Sequence, residues 1–192
     1  MAELVGSLIC LGGGALLLLV MFMAMYNSLI AKKNQVDYAY SGIDVQLKKR
    51  HDLIPNLVAT VRQYMEHERE LLERITELRA RAVSPEVPEG ERMQVEAALS
   101  SALRSLMVAV ENYPNLKANE NFLHLQASLN EIEEQLAAAR RAYNAAVTDY
   151  NNAIEMFPTN FVASMMGLSR RAVFEVSEEE RATPYVAQLF KQ

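Results

Sequence analysis

Tryptophan is absent from the 192 residues, and cysteine occurs once, at Cys10. A single cysteine excludes an intrachain disulfide and any cysteine-built metal cluster. Glycine and proline are sparse, at 7 and 6 residues. Few breakers and abundant Ala, Leu, Glu, Arg and Gln favour an all-helical chain. Basic residues are not in excess: 19 Lys and Arg against 24 Asp and Glu leave a net charge of −5. Nucleic-acid binding therefore has no electrostatic support. A glycine-rich phosphate loop, a nucleophile elbow and an HExxH pair are also missing.

What is present first is a long uncharged run. No charged residue occurs between Glu3 and Lys32, over residues 4–31, which is 28 positions. About 20 apolar residues cross a bilayer as a helix. A cleaved signal peptide fits less well, because the start carries Glu3, no Lys or Arg, and an apolar run too long for one. Cys10 is poorly placed for a lipoprotein site, since Ile9 precedes it and little apolar sequence lies before it. Residues 1–31 are expected to be a transmembrane anchor. Within it, Gly12, Gly13 and Gly14 either let another helix approach closely or are simply tolerated in lipid. Lys32, Lys33, Lys48, Lys49 and Arg50 follow the run. The positive-inside rule then puts the N-terminus outside and the rest in the cytoplasm, as a single-pass membrane protein.

Residues 32–160 read as an elongated antiparallel helical bundle. Val36, Tyr40, Ile43, Leu47, Ile54, Val58, Val61, Met65, Leu72 and Ile75 recur at steps close to helical spacing, which predicts one long helix over 32–83. Two prolines and a glycine within residues 85–90 make a loop. A second helix is expected over 91–112, with Val95, Leu99, Ala102, Leu106 and Val110 as its stripe. A third is expected over 119–156. There Phe122, Leu129, Leu136, Tyr143, Tyr150 and Phe157 fall seven apart, with alanines between them in the C-terminal half. That is the seam of left-handed coiled-coil packing, with alanine gaps for the aromatic rings of a close neighbour. Residues 161–192 are expected to hold a short helix opened by Ser177 and Glu180 as a capping box. The apolar Phe161, Met165, Met166 and Leu168 are candidate partner or membrane contacts.

Candidate chemistry centres on RHDLIPNLVATVRQYMEHE, residues 50–68. On a regular helix His51 and His67 point about 160° apart and lie roughly 24 Å from one another, so they cannot share a metal. His67 reads as part of a solvated face, and His51 as a half-buried, hydrogen-bonded histidine beside the stripe. Glu131, Glu133 and Glu134 read as the solvated face of their helix. Pro55 inside the stripe predicts a kink, or a helix end and restart, joining a membrane stalk to a distal bundle. Asn144, Asp149, Asn151 and Asn152 either bond neighbouring groups or face solvent between core tyrosines. No catalytic, metal or cofactor residue is expected.

IDVQLKKRHDLIPNLVATVRQY, ENYPNLKANENFLHLQ and RRAYNAAVTDYNNAIEMFPTNF together resemble the LemA family of bacterial membrane proteins, over most of the chain. The resemblance implies a short extracytoplasmic N-terminus, one span in the bacterial inner membrane and a helical-bundle domain, with no catalytic residues to carry over. A related branch that serves magnetosome membranes implies a role in membrane organisation. One departure is SMMGLSRRAVFE, where relatives carry a Gly-Leu-Phe-Gly-Phe-like segment. The expected function is a non-enzymatic, membrane-anchored scaffold that self-associates as a homo-oligomer and organises or remodels the bilayer. The alternative is an adaptor or regulatory subunit of another membrane protein, such as a membrane protease.

Overall fold

The structure is a computed structural model, and it describes residues 1–174. Among these, six helices and no strand are found: α1 (Ala2–Arg62), α2 (Arg69–Val83), α3 (Glu89–Val110), α4 (Pro114–Lys117), α5 (Glu120–Glu155) and α6 (Thr159–Met165). The all-helical bundle expected from composition is what forms. The capping box at Ser177 and the tail beyond it lie outside the described residues.

The chain divides into two compact units. Among the described residues, one joins 1–41 to 139–174, and the other is Gly42–Ala138. The first draws its core from Leu29 and Val36 of α1, Ala146, Val147, Tyr150 and Ile154 of α5, and Val162 and Ala163 of α6. Residues from 161 to 168 are thus built into this unit rather than forming a separate tail. The second unit is larger at its centre, with Ile54, Leu57, Val61, Ile75, Leu99, Leu106 and Phe122 all essentially inaccessible. Full burial of each such side chain contributes about 1.5–3 kcal/mol, before its ordering entropy is counted. The whole expected stripe of α3, from Val95 to Val110, is buried.

The helix expected over 32–83 is two helices. α1 ends at Arg62, and residues 63–68 leave helical geometry before α2 begins. None of these six is Gly or Pro, so no local breaker announces the turn. Tertiary contacts hold it instead. Met65 is buried in the core, its N–H donates to the Val61 carbonyl at 3.1 Å, and the Tyr64 hydroxyl accepts from Asn119 Nδ2 at 3.0 Å. Asn119 also caps α5, its Oδ1 accepting from the Phe122 N–H at 3.0 Å.

Pro55 neither ends nor restarts a helix, because α1 runs through it. It also lies inside the second unit, whose boundary falls at Ser41 and Gly42. The joint placed at Pro55 by sequence is therefore not where the chain divides.

The heptad seam is buried at Phe122, Leu129, Leu136 and Tyr150, and half-buried at Tyr143. Phe157 departs from it. α5 has ended at Glu155, and Phe157 is 78% exposed. α6 closes on Gly167, whose φ of +63° lies in the left-handed region. The Leu168 N–H donates to the Ala163 carbonyl at 3.0 Å and the Gly167 N–H to Ser164 at 3.1 Å. This is the Schellman pattern, which satisfies the last helical carbonyls and needs glycine at that position.

Candidate functional site

Two polar constructions stand out, one in each unit. In the second unit Arg50 of α1 is 0% exposed. Its Nη1 donates to Ser100 Oγ at 2.7 Å and to Glu133 Oε1 at 2.8 Å, and its Nη2 donates to Glu96 Oε2. His51 Nε2 faces the other Glu96 oxygen at 2.8 Å, and neither of those two atoms has a hydrogen-bond partner elsewhere. One arginine thus ties α1 to both α3 and α5. A buried charge is tolerable only when paired and hydrogen-bonded in this way. Burial by itself would raise the Glu96 carboxyl pKa. The hydrogen bond from His51 and the charge of Arg50 outweigh it and hold the group below the ordinary carboxylate range.

His51 is buried rather than half-buried, with Nε2 2.8 Å from the Glu96 carboxylate. His67 lies exposed in the turn after α1. The acidic face of α5 needs correction, since Glu133 points at Arg50 rather than only at water. Arg50, in sequence one of the basic charges that follow the span, is a core residue. The missed signal is phase. Arg50 is seven residues after Ile43 and four before Ile54, Glu96 is three before Leu99, and Glu133 lies between Leu129 and Leu136. Each charge stands where the apolar stripe calls for a hydrophobe.

The next carbonyl along α1 explains Pro55. A proline has no N–H, so the carbonyl four residues earlier loses its helical donor. That carbonyl belongs to His51, and Arg79 Nε of α2 donates to it at 2.7 Å. Pro55 thus opens an acceptor on which α2 docks.

In the first unit, residues 169–174 follow α6 without helical structure and are held by side chains of α5. Asn151 Nδ2 donates to the Arg171 carbonyl and Asn151 Oδ1 accepts from the Arg171 N–H, both at 2.9 Å. Seven residues earlier, Asn144 does the same to Phe174, at 2.9 and 2.8 Å. Tyr150 and Tyr143 hydroxyls donate to the Ser169 and Ala172 carbonyls at 3.1 and 3.3 Å. Each carboxamide offers both a donor and an acceptor, which matches one residue's main chain. Arg171 reaches across to Asp37 of α1 at 2.5 Å, and Tyr143 stacks edge-on with both Tyr40 and Phe174. Asn144 and Asn151 therefore bond the chain's own backbone, while Asn152 and Asp149 are exposed. Asn151→Ala should free this strap: amide exchange at Arg171 is expected to rise by roughly one to two orders of magnitude, for two lost bonds worth about 0.5–1.5 kcal/mol each. Unchanged exchange at Arg171 in that variant would show the clamp carries nothing.

The remaining sequence candidates are placed as follows. Gly12, Gly13 and Gly14 are exposed on α1, and a Cβ at any of them would meet nothing within 4 Å. Phe161 and Met165 are exposed, whereas Met166 and Leu168 pack on the first unit's core. Among the described residues, no group of three His, Cys, Asp or Glu is placed to hold a metal.

These features define a helical bundle carrying one helix long and apolar enough to cross a membrane, which is compatible with a single-pass membrane protein. The LemA family model matches residues 39–187, and the chain belongs to the LemA family. It is similar to Protein LemA of Metamycoplasma hominis, 28% identical over 160 residues, covering 83% of this chain and 73% of that one. Magnetosome protein MamQ 2 of Paramagnetospirillum magneticum is 24% identical, covering 87% of this chain and 71% of its own. Magnetosome protein MamQ of Magnetospirillum gryphiswaldense is 22% identical over the same shares. None of these names is that of an enzyme.

Proposed function

We propose that the chain is a non-enzymatic helical scaffold, anchored in the bacterial cytoplasmic membrane by one span, which self-associates and organises or remodels that membrane. The observation that carries the reading lies in α1. Residues 11–24 are exposed on every face and uncharged, and the same helix continues into the bundle without a break. A helix apolar all round is stable only inside protein or lipid. Lys32, Lys33, Lys48 and Lys49 follow it, which favours a cytoplasmic bundle and an N-terminus outside. Open glycine backbone at Gly12–Gly14 suits close approach of a second span. The likeness to magnetosome proteins supports a role in shaping a membrane.

Light scattering on the full chain purified in detergent tests self-association. A protein mass of two or more chains is expected. A strict monomer at micromolar concentration would overturn it, and crosslinks in native membranes that reach only a different membrane protein would replace the scaffold by an adaptor.

A further inference from the structure

We propose that Phe157, Phe161 and Met165 form an interfacial foot that inserts into the headgroup–acyl boundary of the bilayer crossed by α1. The inference rests on the single-span reading above and adds a second, separate contact with lipid.

The sequence isolates the foot. Residues 156–169 carry no charge, and Arg170 and Arg171 follow immediately. The three side chains recur at intervals of four and are 78%, 66% and 78% exposed. Phe157 and Phe161 meet edge to face, with ring centroids 6.1 Å apart. The opposite side of α6 is also apolar, because Val162 and Ala163 are buried in the core shared with Leu29 of α1. α6 is thus apolar toward the bundle and away from it. Water is a poor neighbour for the outer side.

Its position on α1 says which neighbour replaces water. From residue 11 to 24 every position of α1 is exposed; Met25 is the first half-buried one and Leu29 the first buried one. α6 shares one core with Met25 and Leu29, the residues at which that change occurs. Residues 4–25 make a helix roughly 33 Å long, close to the ~30 Å hydrocarbon thickness. The foot then stands within about one helical turn of the hydrocarbon edge, in the headgroup layer. Tyr26, half exposed at that level, is a residue type enriched at such an interface. Interfacial segments bury their apolar faces about 5–10 Å into this boundary. Lys32 and Lys33 supply positive charge beside anionic headgroups, while Arg170 is paired with Glu155 at 2.8 Å. The uncharged run of α1 and the uncharged run of residues 156–169 meet in one core at Met25 and Leu29, so the occupant assigned to the foot is the same lipid.

The absence of tryptophan makes the test direct. Single Phe161→Trp and Met165→Trp variants of the full chain are placed in nanodiscs of lipids brominated high on the acyl chain. Leu18→Trp in the span and Val108→Trp, exposed on α3, serve as references. Quenching of Phe161→Trp and Met165→Trp is expected to approach that of Leu18→Trp and to exceed that of Val108→Trp several-fold. Strong quenching at Leu18→Trp with none at either foot position would overturn the foot while leaving the span standing. Blue-shifted but unquenched foot emission would put a second protein copy there instead, and would also overturn it. An unquenched Leu18→Trp would reject the span itself.

Discussion

Glu96→Ala should lower the stability of the folded chain by about 3–5 kcal/mol, the cost typical of stripping one partner from a buried ion pair. The reason is Arg50. Its side chain is fully inaccessible, and it cannot shed its charge by deprotonation. Without Glu96 it keeps Ser100 and the half-exposed Glu133, and His51 Nε2 loses the oxygen it faces. Arg50→Met combined with Glu96→Leu should recover most of the loss, because similarly sized apolar residues often replace a buried pair without penalty. Denaturant titration followed by far-UV ellipticity measures both variants. A loss under about 1 kcal/mol for Glu96→Ala would match an exposed pair and contradict the burial.

The same group sets an acid limit. In the folded chain the Glu96 carboxyl ionises more readily than in the unfolded one. The unfolded state therefore binds the proton first as pH falls. The stability Glu96 contributes is complete above the unfolded value, about 4.3, and is lost as pH falls through the lower folded value. Glu96→Gln should flatten this acid-side slope while keeping the side chain's shape.

Arg79→Met should cost about 1.5–3 kcal/mol, the range for a hydrogen bond from a charged donor. The loss falls on the His51 carbonyl, which has Arg79 Nε at 2.7 Å and no helical donor because residue 55 is proline. In a Pro55→Ala background the new N–H can take that carbonyl, and Arg79→Met should then cost much less. A thermodynamic cycle over the four proteins measures this coupling. Equal costs in both backgrounds would show that Arg79 and Pro55 act independently.

Pro55 also shows where sequence reading reaches its end. Its position in the apolar stripe was legible, and so was the missing hydrogen bond. That the orphaned carbonyl would be met by a residue 28 positions later was not, because nothing local encodes the return of α2. The turn after Arg62 is the same case: QYMEHE has no breaker, and buried Met65 with the Tyr64–Asn119 bond specifies it. The α3 and α5 stripes were readable because burial imposes their period. Heptad arithmetic overran at Phe157, since it does not register where the helix stops. Arg50, Glu96 and Glu133 were hidden by composition, which treats charge as surface; only their phase within the stripes gives them away.

The asparagine clamp over residues 171–174 engages main-chain atoms at Arg171 and Phe174. It is blind to side-chain identity at those two contacts and sensitive to one covalent feature, the amide hydrogen. Most replacements of Phe174 would forfeit its stacking on Tyr143 and keep the grip of Asn144. Proline would forfeit the grip, since it has no hydrogen to give. The strap is thus free to vary in character along its length, and the imino acid is the residue barred from positions 171 and 174.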